Sequence, residues 1–456
     1  MNKKVNVVIC GAGIAGISAA YHLSVIHGEK DILLVDERKP LSLTSDKSTE
    51  CYRNWWLEPE NAMVSLMNRS IDWLERLADE SGNIFQLNRR GYLFLTADSK
   101  KIPQIIKDAK KISQLGGGSL RIYKEGENYP TYVPTQVEGY DKSLTGADLF
   151  LSKELIRKQF PYLSKDIVAA LHVRRAGWFS AQQLGQYLLE KCKNNGVTYT
   201  NQKIVSIEKT NNQVSSVVFQ NGERIECNYF VSAAGPFTKE IGNLMGIDIP
   251  VFSELHLKVS IHDSKQVVPR NSPLLIWTDE QYLPWSEEER KWFQGENDLH
   301  WLLNRFPGGA HTRPEGGIDS DIVLLLWEYK TDQVNPIFPV PLDPLYPEIA
   351  IRGMAAMLPR FDEYFEEIPK PIIDGGYYVK TQGNRPLIGP LSIKNTYIIG
   401  GLSGFGLMAS CAAGELLAAH ILNDKLPPYA DAFTIERYRD PAYQKMLKSW
   451  KTSGQL

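Results

Sequence analysis

Short apolar runs that end in turns of small residues mark both ends of this chain. Near the start, the run VNVVIC predicts a buried strand, and ISAAYHL, which follows a glycine turn, predicts a helix. A second apolar run, ILLVD, predicts another buried strand. Strand, turn, helix and strand in this order are typical of a βαβ unit. The start of the chain therefore predicts an α/β fold.

The middle of the chain alternates between helical and strand patterns. We expect helices around Ala62 to Ala78 and from Lys100 to Leu115, with a strand in RGYLFLTAD between them. The following residues, up to about Gly146, are polar and rich in Tyr and Pro, which indicates irregular structure. A further helix is then followed by the alternating segments VTYT, KIVSIEK and SSVVF and by the buried strand NYFVS.

From Pro250 to Pro371 the pattern becomes β-rich. LHLKVSIHD, LLIWTD and DIVLLLWEYK predict strands, SEEERKWFQGENDLHWLLNRF predicts a helix, and the proline-rich residues 333–347 predict a loop or an edge. Residues 282–306 could be a lid, a dimer contact or a docking surface. The chain ends with the strand TYIIGG, the turn LSGFG and the helix LMASCAAGELLAAHIL.

The composition narrows the class of protein. Of the 456 residues, 43% are hydrophobic and 23% are charged, which is typical of a soluble globular protein. The net charge of −2 gives no reason to expect nucleic acid or an anionic membrane as a partner. Five scattered cysteines indicate a reducing compartment, and we expect a cytoplasmic protein. The apolar residues 397–422 hold several glycines and Glu415, so we expect a buried strand, turn and helix there and no transmembrane span.

The first glycine turn carries the most specific chemistry. Gly11 permits a tight turn, Gly13 lets the backbone approach a pyrophosphate, and Gly16 lets helix and strand pack closely. The helix N-terminus offers N–H groups and a partial positive charge to that pyrophosphate. Asp36 is placed to accept hydrogen bonds from a ribose and would repel a 2′-phosphate. The order of these elements favours FAD or NAD as the ligand, and the alternative is an ordinary glycine turn in a βαβ unit.

The turn LSGFG places a second helix N-terminus beside glycines, which suits the negative charge of a reduced flavin. A buried βα unit without a ligand explains this segment equally well on its own. The whole pattern predicts an α/β fold with an α+β insertion. We expect a Rossmann-type nucleotide-binding domain assembled from residues 1–95, 147–250 and 372–456. We expect residues 96–146 to be an irregular segment of the inserted domain and residues 251–371 to be its β-rich body.

Taken together, the motifs resemble those of the D-amino-acid oxidase and sarcosine oxidase family of FAD-dependent oxidoreductases. The resemblance rests on GAGIAGISAAYHL with LLVDERKP, on GVTYTNQKIVSIEK, on VSAAGP, and on NRPLIGP followed by IIGGLSGFGLMASCAAGELLA. Residues 100–146 and 279–347 match poorly. The chain is most similar to the branch of monomeric sarcosine oxidase and dye-linked L-proline dehydrogenase. This resemblance implies an FAD domain, an antiparallel sheet over the flavin, and oxidation of a C–N bond to an imine by hydride transfer to flavin N5.

The resemblance also implies roles for particular residues. Arg53 matches an arginine near the substrate carboxylate, and Tyr378 matches a tyrosine over the substrate face of the flavin. The residues that match positions around FAD are Gly11, Gly13, Ile14, Ala15, Gly16, Asp36, Ser48, Thr49, Val205, Ala234, Gly235, Ser403, Gly404, Phe405, Gly406 and Leu407.

Two departures from the family pattern affect these expectations. Met408 stands where sarcosine oxidases have a lysine that binds the substrate carboxylate. Either Arg53 holds a carboxylate alone or the substrate lacks one. Gly376 is the best match for the cysteine that attaches the flavin covalently, so we expect non-covalent FAD. A thioether bond between Cys51 and the flavin is the alternative.

Further candidates lie near the expected flavin. His256 and Lys258 share a strand with Glu254, and either could act as a base or activate oxygen, or could simply face solvent. Arg385 is close to the flavin in register or lies in an exposed turn. Trp55 and Trp56 wall an apolar pocket or fill the core. The eight histidines show no metal-ligand spacing.

These observations predict an FAD-dependent oxidase or dehydrogenase that acts on a secondary amine or an amino acid. The electrons would leave to O₂, a quinone or another acceptor, and a homo-oligomer is possible. The alternatives are a flavoenzyme of the same fold that acts on a C–OH bond or a biosynthetic intermediate, a non-catalytic FAD-binding subunit of a complex, and an NAD-linked dehydrogenase.

Overall fold

The computed structural model describes residues 3–449. Its strands, in chain order, are β1 Lys3–Cys10, β2 Ile32–Asp36, β3 Cys51–Arg53, β4 Tyr92–Thr96, β5 Leu120–Tyr123, β6 Ala147–Phe150, β7 Ala169–Val173, β8 Ala176–Trp178, β9 Thr198–Asn201, β10 Ile204–Thr210, β11 Gln213–Phe219, β12 Arg224–Ser232, β13 Val251–His262, β14 Leu274–Trp277, β15 Ala310–Pro314, β16 Ile322–Leu326, β17 Gln333–Val334, β18 Ile372–Thr381, β19 Leu387–Pro390 and β20 Thr396–Gly400. Its α-helices are α1 Ile14–Tyr21, α2 Thr44–Lys47, α3 Ala62–Ser81, α4 Ile102–Ile112, α5 Lys153–Gln159, α6 Ala181–Asn194, α7 Thr238–Met245, α8 Glu287–Gly295, α9 Tyr346–Met354, α10 Gly406–Leu422 and α11 Pro441–Ser449.

The first sheet contains the apolar strands from both ends of the chain. Its order is β10-β11-β12-β1-β2-β9, with β20 beside β12 and β19 beside β20. The pairs β1–β2, β2–β9, β1–β12 and β12–β20 are parallel, so the carboxyl ends of these strands meet at one edge. The predicted α/β fold is confirmed.

The second sheet is mostly antiparallel and has the order β17-β13-β16-β15-β14-β4-β7-β6-β5, with β18 paired to β13. We expected residues 1–95 and 147–250 to belong to the cofactor-binding domain. Of the strands in these residues, however, β4, β6 and β7 lie in the second sheet. β4 pairs with β14, which is far away along the chain and which local patterns cannot identify as its partner. β5 lies in the region that was expected to be irregular.

The predicted helices and turns are close to those observed. The helices expected at residues 62–78 and 100–115 are α3 and α4. In residues 282–306, Trp285 and Phe293 are buried, whereas 57% of Trp292 is exposed. The apolar residues 397–422 divide into the end of β20, a turn and α10. Over residues 3–449, no helix combines the length and the apolar character that crossing a membrane requires.

The helices α1 and α10 are in direct contact. A Cβ added at Gly414 in α10 would lie 2.3 Å from Ser18 Oγ in α1. The Ser18 hydroxyl donates a hydrogen bond to the carbonyl of Ser410 at 2.8 Å. Only a residue without a side chain allows this distance. The two ends of the chain therefore form one helical layer on the first sheet.

A buried histidine connects the strands of the second sheet. His172 in β7 donates from Nε2 to the carbonyl of Arg90 at 2.8 Å, and its Nδ1 accepts from the Tyr132 hydroxyl at 3.0 Å. Burial and the charge of Arg174 lower the pKa of His172 to about 3. The unfolded chain binds a proton at this side chain below about pH 6.5, whereas the folded chain does not. Acid therefore favours the unfolded state.

We predict that the free energy of unfolding decreases from pH 7 to pH 5. At pH 5 the contribution of His172 to this decrease is roughly 2 kcal/mol, at about 1.4 kcal/mol per pH unit below 6.5. A His172→Asn variant should be less stable at pH 7 but should lose this part of the pH dependence. His262→Asn, at an exposed histidine, is the matched control and should keep it. Urea unfolding at both pH values measures the effect, and an unchanged pH dependence in His172→Asn would contradict the prediction.

Candidate active site

A long cleft runs along the carboxyl edge of the first sheet. Its cavity volume is ≈ 370 Å³. Its walls are the β1–α1 turn, the ends of β2 and β12, part of β18 and the β20–α10 turn. In open α/β sheets, ligands bind at this edge, beyond the carboxyl ends of the strands.

The β1–α1 turn brings the backbone unusually close to β12. Gly11 has a φ of 114°, and a Cβ there would lie 2.2 Å from the Ala233 carbonyl oxygen. A Cβ at Gly16 would lie 1.9 Å from the Gly11 carbonyl oxygen. The space that these side chains would fill is left open only by glycine. The roles predicted for Gly11 and Gly16 in the turn thus have a steric basis.

Asp36 stands at the end of β2 and faces this turn. Its carboxylate accepts hydrogen bonds from the N–H groups of Ala12 at 2.7 Å and Arg38 at 2.8 Å. Burial nevertheless raises the pKa of Asp36. A carboxylate has about four acceptor positions, so Asp36 can still accept hydrogen bonds from a hydroxyl group in the cleft. Nearby, Ser45 Oγ accepts from the N–H of Ile14 at 3.0 Å, a contact that the sequence did not predict.

The β20–α10 turn is attached to the second sheet. Ser403 has a φ of 51°, and its N–H donates to the carbonyl of Val379 at 2.8 Å. Phe405 lies behind the turn, with its ring 5.0 Å from that of Trp56. Since α10 begins at Gly406, the N-termini of both α1 and α10 point to the cleft. Both ends of the cleft thus offer a partial positive charge.

A buried polar face of β13 and β18 lies next to this turn. Tyr378 lines the cleft, and its ring stacks on that of His256 with the centroids 4.1 Å apart. His256 Nε2 lies 3.0 Å from Glu254 Oε2, and Lys380 Nζ lies 3.0 Å from the same oxygen. Glu254, His256 and Lys380 are each at most 6% exposed. The interpretation of His256 as a solvent-facing residue is therefore wrong.

Lys258, on the same strand, has a structural contact. Its Nζ donates to the carbonyl of Ser48 at 2.8 Å, and burial lowers the pKa of Lys258. It therefore does not simply face solvent either. Its ammonium fixes the segment before β3 to the second sheet.

A second cavity lies beside the Ser403–Leu407 turn. Its lining includes Arg53, Trp55, Trp56 and Phe94. The Nε of Arg53 donates to the carbonyl of Trp55 at 3.1 Å, and its guanidinium lies 4.3 Å from the Trp56 ring centre. Burial lowers the pKa of Arg53. Trp56 contacts Phe405, so this cavity adjoins the Ser403–Leu407 turn.

The structure brings most of the predicted cofactor residues together. Those that line the cleft are Gly11, Gly13, Ile14, Ala15, Asp36, Ser48, Val205, Ala234, Gly235, Tyr378, Ser403, Gly404, Gly406 and Leu407. The predicted cofactor residues outside this lining are Gly16, Thr49, Arg385, Phe405 and Met408.

Arg385 requires a correction. It is 1% exposed and forms ion pairs with Glu58 at 3.1 Å and with Glu60 at 3.4 Å. It is outside the lining of the cleft and is not an exposed turn residue. The two carboxylates come from the segment between β3 and α3, a partner that register within NRPLIGP cannot reveal.

Several residues at the site were not predicted. Glu328, after β16, faces His256, and Lys380 pairs with Glu254. His311 in β15 donates from Nδ1 to the Gly309 carbonyl at 2.7 Å, and burial lowers its pKa to about 4. Alternation along β13 could have paired Glu254 with His256. The approach of Glu328 depends on strand pairing between distant segments.

The cleft fits a dinucleotide cofactor. The turn leaves open the volume that a Cβ at Gly11 or Gly16 would fill, and Asp36 keeps acceptor positions for a ribose. The five cysteines are free and buried, and Cys10 is the one that lines the cleft. Burial, together with Asp36 and Glu37, raises the pKa of Cys10 to about 12, so its thiol stays protonated.

Comparison with known proteins identifies the family. Residues 6–420 match the model of the DAO family, described as FAD dependent oxidoreductase. The chain belongs to this family of FAD-dependent oxidoreductases, which disfavours the NAD-linked alternative.

Individual relatives are distant. The chain is 22% identical to FAD-dependent oxidoreductase domain-containing protein 1 of Bos taurus, over 92% of this chain and 82% of the relative. It is 23% identical to a mitochondrial pyruvate dehydrogenase phosphatase regulatory subunit of Mus musculus, over 60% of this chain but only 28% of the relative. The fold is similar to that of L-proline dehydrogenase from P. horikoshii, with a TM-score of 0.73, 18% identity, and coverage of 96% of this chain and 99% of the other.

We predict that Gly16→Ala prevents the cleft from holding its cofactor. The added methyl group overlaps the Gly11 carbonyl, and overpacking of this kind costs roughly 1–3 kcal/mol of unfolding free energy. Gly295→Ala is the control, because a Cβ there meets no atom within 4 Å. Flavin absorbance per mole of purified protein and urea unfolding measure both effects. A Gly16→Ala protein with the flavin content of the control would contradict the prediction.

Proposed function

We propose that this protein oxidises the C–N bond of a secondary amine or an amino acid to an imine, with FAD as the cofactor. The observation that carries the proposal is the second cavity, which joins Arg53 and an aromatic wall to the Ser403–Leu407 turn. The fold shared with an L-proline dehydrogenase supports it.

Two turns of the cleft would bind different parts of FAD. Gly11, Gly13 and the N-terminus of α1 would hold the pyrophosphate, and Asp36 would accept hydrogen bonds from the adenosine ribose. The Ser403–Leu407 turn would support the flavin ring. When bound, FAD would accept the hydride, with its two electrons, that leaves the substrate carbon. We propose non-covalent binding, because the Cys10 thiol stays protonated and Cys51 lies outside the lining of the cleft.

The second cavity positions the substrate. The Arg53 guanidinium, buried between the rings of Trp56 and Tyr92, offers a fixed positive charge for a carboxylate. Trp55, Trp56 and Phe94 exclude water around the carbon that reacts. Tyr378 covers the ring end of the cleft and limits how the substrate approaches. These groups hold the carbon and the amine in one orientation, which is the main contribution of a protein to this chemistry.

A non-catalytic role is the second candidate. The relative from Mus musculus is named as a regulatory subunit, which favours a flavin-binding protein without turnover. The third candidate function is oxidation of a C–OH bond by a flavoenzyme of the same fold. The electron acceptor, the oligomeric state and the cytoplasmic location stay predictions, and the mouse relative is itself named as mitochondrial.

An anaerobic substrate screen decides between these candidates. We predict that the purified protein is yellow and that at least one secondary amine or N-methylated amino acid bleaches its absorbance near 450 nm. Bleaching by hydroxy acids alone would support the C–OH alternative. Absence of bleaching by either class would support the regulatory role. The rate of recovery in air then separates an oxidase from a dehydrogenase.

We further predict that Arg53→Met raises the KM for substrates that carry a carboxylate. The loss of one charged hydrogen bond corresponds to about tenfold or more in KM for proline or sarcosine. The KM for pyrrolidine or dimethylamine, which lack the carboxylate, should change much less. Arg439→Met, at an exposed arginine that pairs with Glu436, is the control. Equal changes in KM for both members of each substrate pair would contradict the role of Arg53.

A further inference from the structure

Glu328, which follows β16, is a half-buried carboxylate. Among residues 3–449, no N–H or O–H group donates a hydrogen bond to its oxygens. Burial raises the pKa of Glu328, yet 17% of its side chain remains accessible. An accessible carboxylate among buried neighbours borders an internal space rather than close-packed atoms. A carboxylate in such a place is costly unless something donates to it.

His256 faces the same space with a second acceptor. Its Nε2 lies 3.0 Å from Glu254 Oε2, and a carboxylate can only accept, so Nε2 carries the hydrogen. In the neutral ring, Nδ1 then holds a lone pair. Within the described chain Nδ1 has no hydrogen-bond partner, and it lies 3.9 Å from Glu328 Oε1. Two acceptors thus face each other without a donor between them.

The ring of His256 is fixed in this orientation. Lys380 pairs with Glu254 and balances its charge, and the Tyr378 ring stacks on the imidazole. Because Tyr378 also lines the cleft, His256 lies one aromatic ring away from the place where FAD would bind.

Six charged or titratable side chains interact electrostatically with Glu328. They are Glu254, His256, Lys380, Arg53, Tyr378 and Tyr346. Lys380 balances the charge of Glu254, and the charges of Arg53 and Glu328 act on each other. An ammonium next to Glu328 would supply the hydrogen-bond donor that its oxygens lack among residues 3–449.

We propose that Glu328 and His256 form an ammonium-binding subsite, in which both accept hydrogen bonds from the amine nitrogen of the substrate. This inference rests on the proposed function and specifies the substrate as a cationic amine. In the subsite an N–H bond of the ammonium breaks and an Nδ1–H bond forms on His256. No electrons are transferred in this step, and the amine keeps the lone pair that it needs for oxidation. The imidazolium that forms lies between the carboxylates of Glu254 and Glu328.

The test compares two probes that have the same shape and no oxidisable hydrogen. These are 2-aminoisobutyrate, which carries an ammonium, and 2-hydroxyisobutyrate, which carries a hydroxyl. Calorimetry and perturbation of the flavin spectrum measure their dissociation constants for the FAD-loaded protein. We expect the wild type to bind the amino probe about tenfold more tightly. Glu328→Gln should reduce this ratio to near one, and Glu366→Gln, at an exposed carboxylate, should leave it unchanged.

His256→Gln is a second variant, which can retain the donor to Glu254 but lacks the Nδ1 acceptor. It should lose the same preference while it unfolds at a urea concentration close to that of the wild type. A wild-type ratio retained in Glu328→Gln, or a wild type that prefers the hydroxy probe, would overturn the proposal.

Bleaching by amines separates this inference from the proposed function. If amines bleach the wild type and Glu328→Gln at equal rates, C–N oxidation stands and the subsite fails. If no amine bleaches the wild type but the ammonium preference depends on Glu328, the subsite stands and C–N oxidation fails. We expect bleaching of the wild type and about tenfold slower bleaching of Glu328→Gln.

Discussion

The close approach of the β1–α1 turn to the end of β12 is the constraint on which the rest of the site depends. Gly11 and Gly16 leave no room for a side chain against Ala233 and against each other. The same crowding continues at Gly414, where α10 meets Ser18 of α1. Small residues at these points let the two ends of the chain pack as one layer, and the cleft opens where that layer meets the carboxyl edge of the first sheet.

This packing determines where charge can be placed. Because α1 and α10 are neighbours, their N-termini face one cleft from two sides. The hydrogen bond from Ser403 to Val379 then holds the α10 turn against β18, so that Tyr378 and the polar face behind it stand beside the turn. Arg53 reaches the same region from β3 through Trp56 and Phe405. One steric constraint thus brings together elements from four separate parts of the chain.

The sequence allowed prediction of the features that depend on local chemistry. The glycine turn, Asp36 and the Ser403–Leu407 turn each follow from residue types that only a few backbone arrangements require. Features that depend on distant pairing could not be predicted. β4 belongs to the second sheet because it pairs with β14, and Arg385 is neutralised by Glu58. Glu328 approaches His256 only because β13 pairs with β16, and no local signal marks that contact.

The central claim is that FAD lies across the carboxyl edge of the first sheet, between the two turns. A crystal structure of the protein grown with FAD tests this most directly. The account predicts the pyrophosphate at the backbone of Gly11 to Ala15 and the flavin ring against Ser403 to Leu407, next to Tyr378. A flavin ring bound elsewhere, or a protein that takes up no FAD at saturating concentration, would contradict it.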